Sequence, residues 1–207
     1  GLQVAYMVSL GNRLKFDIDD AIRTFANQDR VTAIGLYLES VGDPARFEQA
    51  IAFANALGKP VVAIKTGRSE ISKKIVVSHT SSMAGSDELI DALFERVGVA
   101  RVNSLEGLIE ALKVLHVLGP LKGGRMGVMS TSGGDLSLVG DAISGSGLSM
   151  PELSKEGVET LRSTVHERIV VANPLDYQMF DWNNEARLTE MFAAIMQQDF
   201  DISINLL

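Results

Sequence analysis

Apolar runs of strand length alternate with longer segments of helical period through most of this chain, a pattern that buries a parallel sheet between helices. Residues 3–9, 32–38 and 61–64 read as strands, and residues 17–27 and 44–57 as the helices between them. Asp43-Pro44 opens the second helix, because Asp caps free N–H groups and Pro is tolerated at the first helical position. Gly58 supplies its stop before the Lys59-Pro60 turn. Beyond a long polar stretch, residues 87–97 read as a helix, with Ser86 as its cap and Asp87 and Glu88 where the helix dipole favours acids. Residues 98–102 read as a short strand and 104–118 as a closing helix.

Leu118-Gly119-Pro120-Leu121-Lys122-Gly123-Gly124 is rich in residues that end helices and begin turns, and it marks a boundary. After it, residues 125–129 read as a strand, 135–144, 154–163 and 185–197 as helices, and Ile202-Ser203-Ile204-Asn205-Leu206-Leu207 as a last strand. The expected fold is therefore α/β, with two doubly wound parallel-sheet domains over residues 1–118 and 123–207. Ligands of such sheets belong at the carboxyl ends of the strands. The chain has no initiator Met, opens on Gly1 directly before a strand and ends on a strand. We expect a fragment of a longer protein, its second domain truncated at the C-terminus.

Composition narrows the chemistry. The 207 residues include no cysteine, which excludes disulfides, thiolate nucleophiles and cysteine metal sites and fits a cytoplasmic location. A formal net charge of −7 argues against nucleic acid or an anionic membrane as the main partner. No stretch approaches the roughly 18 unbroken apolar residues of a membrane span. Local phosphate binding stays open, since backbone N–H groups supply it without net positive charge.

The most informative segment is Ser78-His79-Thr80-Ser81-Ser82-Met83-Ala84-Gly85-Ser86-Asp87. It sets a histidine among small and hydroxylated residues immediately before a helix. Small neighbours leave room for a bulky phosphorylated partner, and hydroxyls donate to phosphate oxygens. Taken alone, such a histidine is more often a solvated surface residue. The segment resembles the Ser-His-Thr-Gly-Ala/Ser-Leu-Ala-Gly-Ser-Asp motif of the NDP-forming acyl-CoA synthetases, relatives of succinyl-CoA synthetase. Val8-Ser9-Leu10-Gly11-Asn12 and Arg125-Met126-Gly127-Val128-Met129-Ser130-Thr131-Ser132-Gly133-Gly134 are similar to two further stretches of that family.

The resemblance implies two flavodoxin-like ligase domains, phosphorylation of His79 during turnover, and a role for Glu39 in accepting a hydrogen bond from its imidazole. A carboxylate there would fix which ring nitrogen carries the proton and leave the other as nucleophile. It further implies that Ser130, Thr131, Ser132, Gly133 and Gly134 hold a phosphate at a helix start, though by spacing alone this is as readily an ordinary glycine-rich turn. CoA and ATP or ADP with Mg²⁺ would be bound mainly by a CoA-binding domain and an ATP-grasp domain, in cis or in a partner subunit. The substrate would be a carboxylic acid, with no metal site in this segment and homo-oligomerisation left open.

Lower weight falls on Asn173-Pro174-Leu175-Asp176, which resembles the family's Asn-Pro-x-Asp signature but also reads as a capped turn. Lys65, Arg68, Lys73 and Lys74 read as a solvated basic loop near His79. His116, in an apolar helical run, and His166, beside charged residues, need only packing and exposure. Two competing readings are a ligand-sensing synthetase-like region of a protein acetyltransferase, with lapsed chemistry, and a flavodoxin-type FMN module. Retention of both His79 and Glu39 weighs against the first. The low aromatic content of 6 % gives the second little support.

Overall fold

The computed structural model describes residues 1–11, 16–69, 71–72 and 86–207. The chain divides into two units, Gly1–Pro120 and Leu121–Leu207.

In the first unit the elements run α1 (Ile18–Ala26), β1 (Ile34–Leu38), α2 (Pro44–Ala56), β2 (Val61–Lys65), α3 (Asp87–Val97), β3 (Ala100–Arg101) and α4 (Leu105–Leu118). The three strands form a parallel sheet in the order β1-β2-β3, with Leu38 opposite Lys65 and Ala63 opposite Arg101. Local sequence explains the helix starts. Asp17 caps α1 in a reciprocal box with Asp20, and the Asp43 carboxylate accepts from the N–H groups of Ala45 and Arg46 ahead of Pro44. Ser86 departs from expectation: its hydroxyl donates to the Glu88 carboxylate and makes no side-chain cap on α3.

One face of this sheet is covered by α1, α2 and α3. Ile22, Phe47, Ile51 and Phe94 meet Ile34, Leu36, Val61 and Ala63 in a single apolar cluster. Each such large side chain, fully buried, contributes about 1.5–3 kcal/mol. From the other face α4 approaches closely at Gly35, where an added Cβ would stand 2.7 Å from Leu112 Cδ1. A side chain at this position would require the flexible end of Leu112 to shift.

The strand expected over residues 3–9 does not form. Its apolar run suits a sheet buried on both sides, but a strand exists only where a neighbour takes its N–H and C=O groups. Here an open cleft of about 1770 Å³ lies between residues 2–11 and β1, lined also by Leu108, Leu112 and His116 of α4. Ala5 and Leu10 still pack on the core, while Met7 and Val8 are exposed.

In the second unit the elements are β4 (Met126–Ser130), α5 (Gly133–Ile143), α6 (Lys155–Thr164), β5 (Leu175–Asp176), α7 (Glu185–Met196) and β6 (Ile202–Leu206). The parallel sheet has the order β5-β4-β6, so β4 is central and every one of its residues is buried. Met129, Leu161, Leu175, Met191 and Ile195 build the core with α6 and α7. Met126, Val128 and Leu136 build a second cluster, with Val139 and Ile143 of α5 packed against it. Helices thus cover both faces, as in a doubly wound sheet. Among the described residues no helix is long and apolar enough to cross a membrane.

Candidate active site

The carboxyl edge of the first sheet gathers charge. Glu39 follows the last residue of β1, Lys65 ends β2 and Arg101 ends β3. Leu38 and Lys65 are register partners on strands spaced about 4.8 Å apart, so Glu39 leaves β1 one residue beyond the position that faces Lys65. Glu39 is half-buried, and Lys65 is buried at 3 % exposure. The Lys65 ammonium donates to the carbonyl of Thr66. Burial pushes its pKa below the ordinary lysine value; Asp87 pulls against that shift, Arg101 adds to it and Glu39 opposes it.

Arg101 is the hub of this edge. Its Nη2 donates to Asp87 Oδ1 at 2.7 Å and to the Lys65 carbonyl at 3.4 Å, and its Nη1 donates to the Asp91 carboxylate. The second oxygen of Asp87 accepts from Arg68 Nε at 3.2 Å, while Arg68 Nη1 reaches Asn103 Oδ1 at 2.6 Å. Burial raises the Asp87 pKa, but the hydrogen bond and charge of Arg101, then those of Arg68, outweigh it and hold the carboxyl below its usual range.

His79 lies outside the described residues, as do Ser78, Thr80 to Gly85, Lys73 and Lys74. The chain places Arg68 before that segment and Asp87 after it, and the two are ion-paired at this edge. Lys65 departs from the solvated basic loop expected of it: it faces the interior because it belongs to a strand in which every residue is buried. Arg101 was not singled out by sequence. The available signal was its place at the end of a parallel strand, where ligand-facing residues collect.

In the second unit, Ser130–Gly134 spans the end of β4 and the first turn of α5. Ser130 is buried at 1 % exposure, donates its hydroxyl to the Leu206 carbonyl and accepts the N–H of Ser132 at 3.1 Å. Ser132 caps α5 through the Asp135 N–H, so Gly133 and Gly134 already belong to the helix. Asp176 stands at the same helix start: a Cβ added to Gly133 would lie 3.3 Å from its Oδ2. A carboxylate is stabilised at that dipole end, and an incoming phosphate would have to share it.

Asn173 has a structural task. Its side-chain carbonyl accepts the Val128 N–H, and its amide nitrogen donates to the carbonyls of Met126 and Pro151. Asp176 Oδ1 accepts the Gln178 N–H, so the Asn173–Asp176 stretch is both a turn and a short strand. His116 Nδ1 is 2.8 Å from Thr32 Oγ1, and His166 stacks on Phe180 with ring centroids 4.2 Å apart. Among the described residues no group of three or more His, Asp or Glu side chains is placed to hold a metal ion.

Parallel sheets between helices, with polar residues collected at the strand ends, define a flavodoxin-like doubly wound protein. Residues 1–115 match the family described as succinyl-CoA ligase like flavodoxin domain, and the chain belongs to that family. It is 33 % identical over 169 residues to the alpha subunit of acetate–CoA ligase [ADP-forming] II of Pyrococcus furiosus, covering 82 % of this chain and 36 % of that one. It is 27 % identical over 199 residues to a trans-feruloyl-CoA synthase of an unknown prokaryotic organism, covering 96 % of this chain and 28 % of that one. Among solved structures, the dinucleotide forming acetyl-coenzyme A synthetase 1 of Ca. Korarchaeum cryptofilum, in complex with phosphate and ADP, aligns with a TM-score of 0.74 at 26 % identity. That alignment covers 83 % of this chain and 37 % of the other.

Proposed function

We propose that this chain is the phosphoryl-carrying part of an NDP-forming acyl-CoA synthetase, with His79 as the carrier and Glu39 as its orienting acid. The overall reaction interconverts acyl-CoA, phosphate and ADP with a carboxylic acid, CoA and ATP. Phosphate attacks the thioester carbonyl and the C–S bond breaks, releasing CoA and leaving an acyl phosphate. One ring nitrogen of His79 then attacks phosphorus, and the P–O bond to the acyl group breaks to release the carboxylate. Finally a terminal oxygen of ADP attacks the phosphoryl group, the P–N bond breaks, and ATP leaves. Glu39 holds the proton on the second ring nitrogen and offsets the positive charge the ring acquires.

The observation that carries this reading is that Glu39 follows β1 at the same carboxyl edge of the sheet where Arg68 and Asp87, which precede and follow the His79 segment in sequence, are ion-paired. The names of the relatives, all ligases or synthetases of acyl-CoA, support it. Their acids range from acetate to ferulate, so the acyl pocket is assigned to parts beyond these two units. CoA and nucleotide binding are likewise assigned to further domains, in cis or in a partner subunit. Mg²⁺ would accompany the nucleotide, neutralising its phosphate charge. The Ser130–Gly134 turn contributes backbone N–H groups to a phosphate in this scheme, since the Ser130 hydroxyl is spent inside the unit.

Labelling tests it. The full-length protein incubated with γ-labelled ATP and Mg²⁺ should acquire an acid-labile, base-stable label, as expected of a phosphoramidate. His79→Ala should abolish it, and a label that survives that substitution defeats the reading.

A further inference from the structure

We propose that the cleft beside β1 is a slot for one further parallel strand, supplied by connected polypeptide outside these 207 residues, whose insertion also turns residues 3–9 into a strand. Alternate residues of a parallel strand bond to opposite sides. Ile34, Leu36 and Leu38 face β2 in this way: the Ile34 N–H donates to the Pro60 carbonyl at 2.9 Å, and the Leu38 carbonyl accepts the Thr66 N–H at 2.9 Å. Gly35 and Tyr37 therefore turn their backbone groups away from β2, towards the cleft. Among the described residues no strand pairs with that side of β1.

The far wall of the cleft is residues 2–11. Ala5 and Leu10 hold that segment to the core, and Tyr6 lies on Phe25 with ring centroids 5.2 Å apart, yet Val4, Met7 and Val8 are exposed. Neither wall spends its facing backbone groups in a ladder. That asks for a polypeptide strand and not a small molecule, because a strand offers N–H and C=O groups to both sides at the strand repeat. The chemistry of the occupant follows from what lies above and below it. Ile18, Ala21 and Ile22 of α1 line the slot on one face of the sheet, and Leu108 and Leu112 of α4 on the other. A strand covered on both faces is a continuous apolar run, here of about the five residues of β1, without proline.

A second copy of this chain suits the slot poorly, since residues 2–11 flank its far side and another sheet edge would have to displace them. So short a strand is also a small contact for a separate protein, as stable interfaces bury about 800 Å² per partner. Connected polypeptide loses only the entropy of closing a loop. The matched relatives extend well beyond this chain, whose alignments cover 36 % of one and 28 % of another.

The test uses the full-length protein and two measurements. Residue-resolved amide hydrogen exchange of the wild type should show the Gly35 and Tyr37 N–H groups, and alternate N–H groups of residues 3–9, slowed by on the order of 1,000-fold or more, as in strands that exchange only when a domain opens. A photo-reactive benzoylphenylalanine placed at Tyr37, which is 61 % exposed, should cross-link within one molecule to an apolar segment outside these 207 residues. Fast exchange at Gly35 and Tyr37 overturns the proposal. Slow exchange with the cross-link falling on residues 3–9 also overturns it, since the flank then pairs directly with β1. A cross-link to a second molecule, or none to outside polypeptide, overturns the assignment to connected chain.

Discussion

The side chain of Asn173 stands in for a strand residue opposite Gly127: its carbonyl takes the Val128 N–H at 3.0 Å and its amide gives to the Met126 carbonyl at 2.8 Å. In a parallel ladder those two groups of β4 are the ones a residue facing position 127 would pair. The backbone pairing of β5 with β4 begins only at Met129 opposite Leu175, two residues on. Asn173 thus continues in side-chain form a ladder that the backbone does not reach. Asn173→Ala should leave the Val128 N–H and the Met126 and Pro151 carbonyls without this partner, destabilising the second unit by about 2–4 kcal/mol. Trp182, the single tryptophan, lies in that unit and reports its denaturant unfolding. The midpoint should fall with the slope unchanged; an unshifted midpoint would show that water replaces the amide at no cost.

Burial of the Lys65 ammonium is expected to cost stability. Its folded-state pKa is depressed, so the penalty of keeping it charged is fully present below that value and disappears as pH rises to the ordinary lysine value of about 10.4. Lys65→Met keeps the length and drops the charge, and such replacements of buried charge are often neutral or stabilising. The variant should be at least as stable as the wild type at pH 7 by amide hydrogen exchange across α2, with the difference narrowing as pH is raised. Marked destabilisation at neutral pH would mean that the ammonium is better compensated by Thr66, Asp87 and Glu39 than its burial suggests.

Glu39→Gln preserves shape and half-burial while removing the charge. In the full-length enzyme it should slow His79 phosphorylation by on the order of 100-fold, the size of a lost electrostatic contact in a transition state, with the thermal midpoint nearly unchanged. Phosphorylation at the wild-type rate would return Glu39 to the role of a strand-end acid.

Element order was legible because its signals are local. The Asp43-Pro44 start, the apolar period of α3 and the glycine-rich break after Leu118 each depend on residues a few positions apart, and helices and strands appear where they predict. The carboxyl-edge position of Glu39 followed from the same pattern, since a strand's end is a local property and parallel sheets put ligands there. The family motif around His79 was legible for a different reason, being carried by residue identity and not by geometry.

What tertiary structure decided was pairing over distance. Nothing near Arg101 in sequence announces that it will bridge Asp87, Asp91 and the backbone of Lys65, because the three meet only when β2, β3 and α3 pack together. The apolar run of residues 3–9 predicts a strand equally well whether or not a neighbour accepts its backbone groups, and beside β1 no ladder forms. Asn173 reads as a turn residue until the register of β4 and β5 leaves a gap of its size. By itself the sequence determined most of the elements and their order, since propensity, capping and hydrophobic period act within a few residues, and it named the candidate carrier through the residue identities of a motif. Which charges are buried, and which of them hold one another, was decided by the packing of the sheet, because burial and ion pairing are properties of neighbours in space.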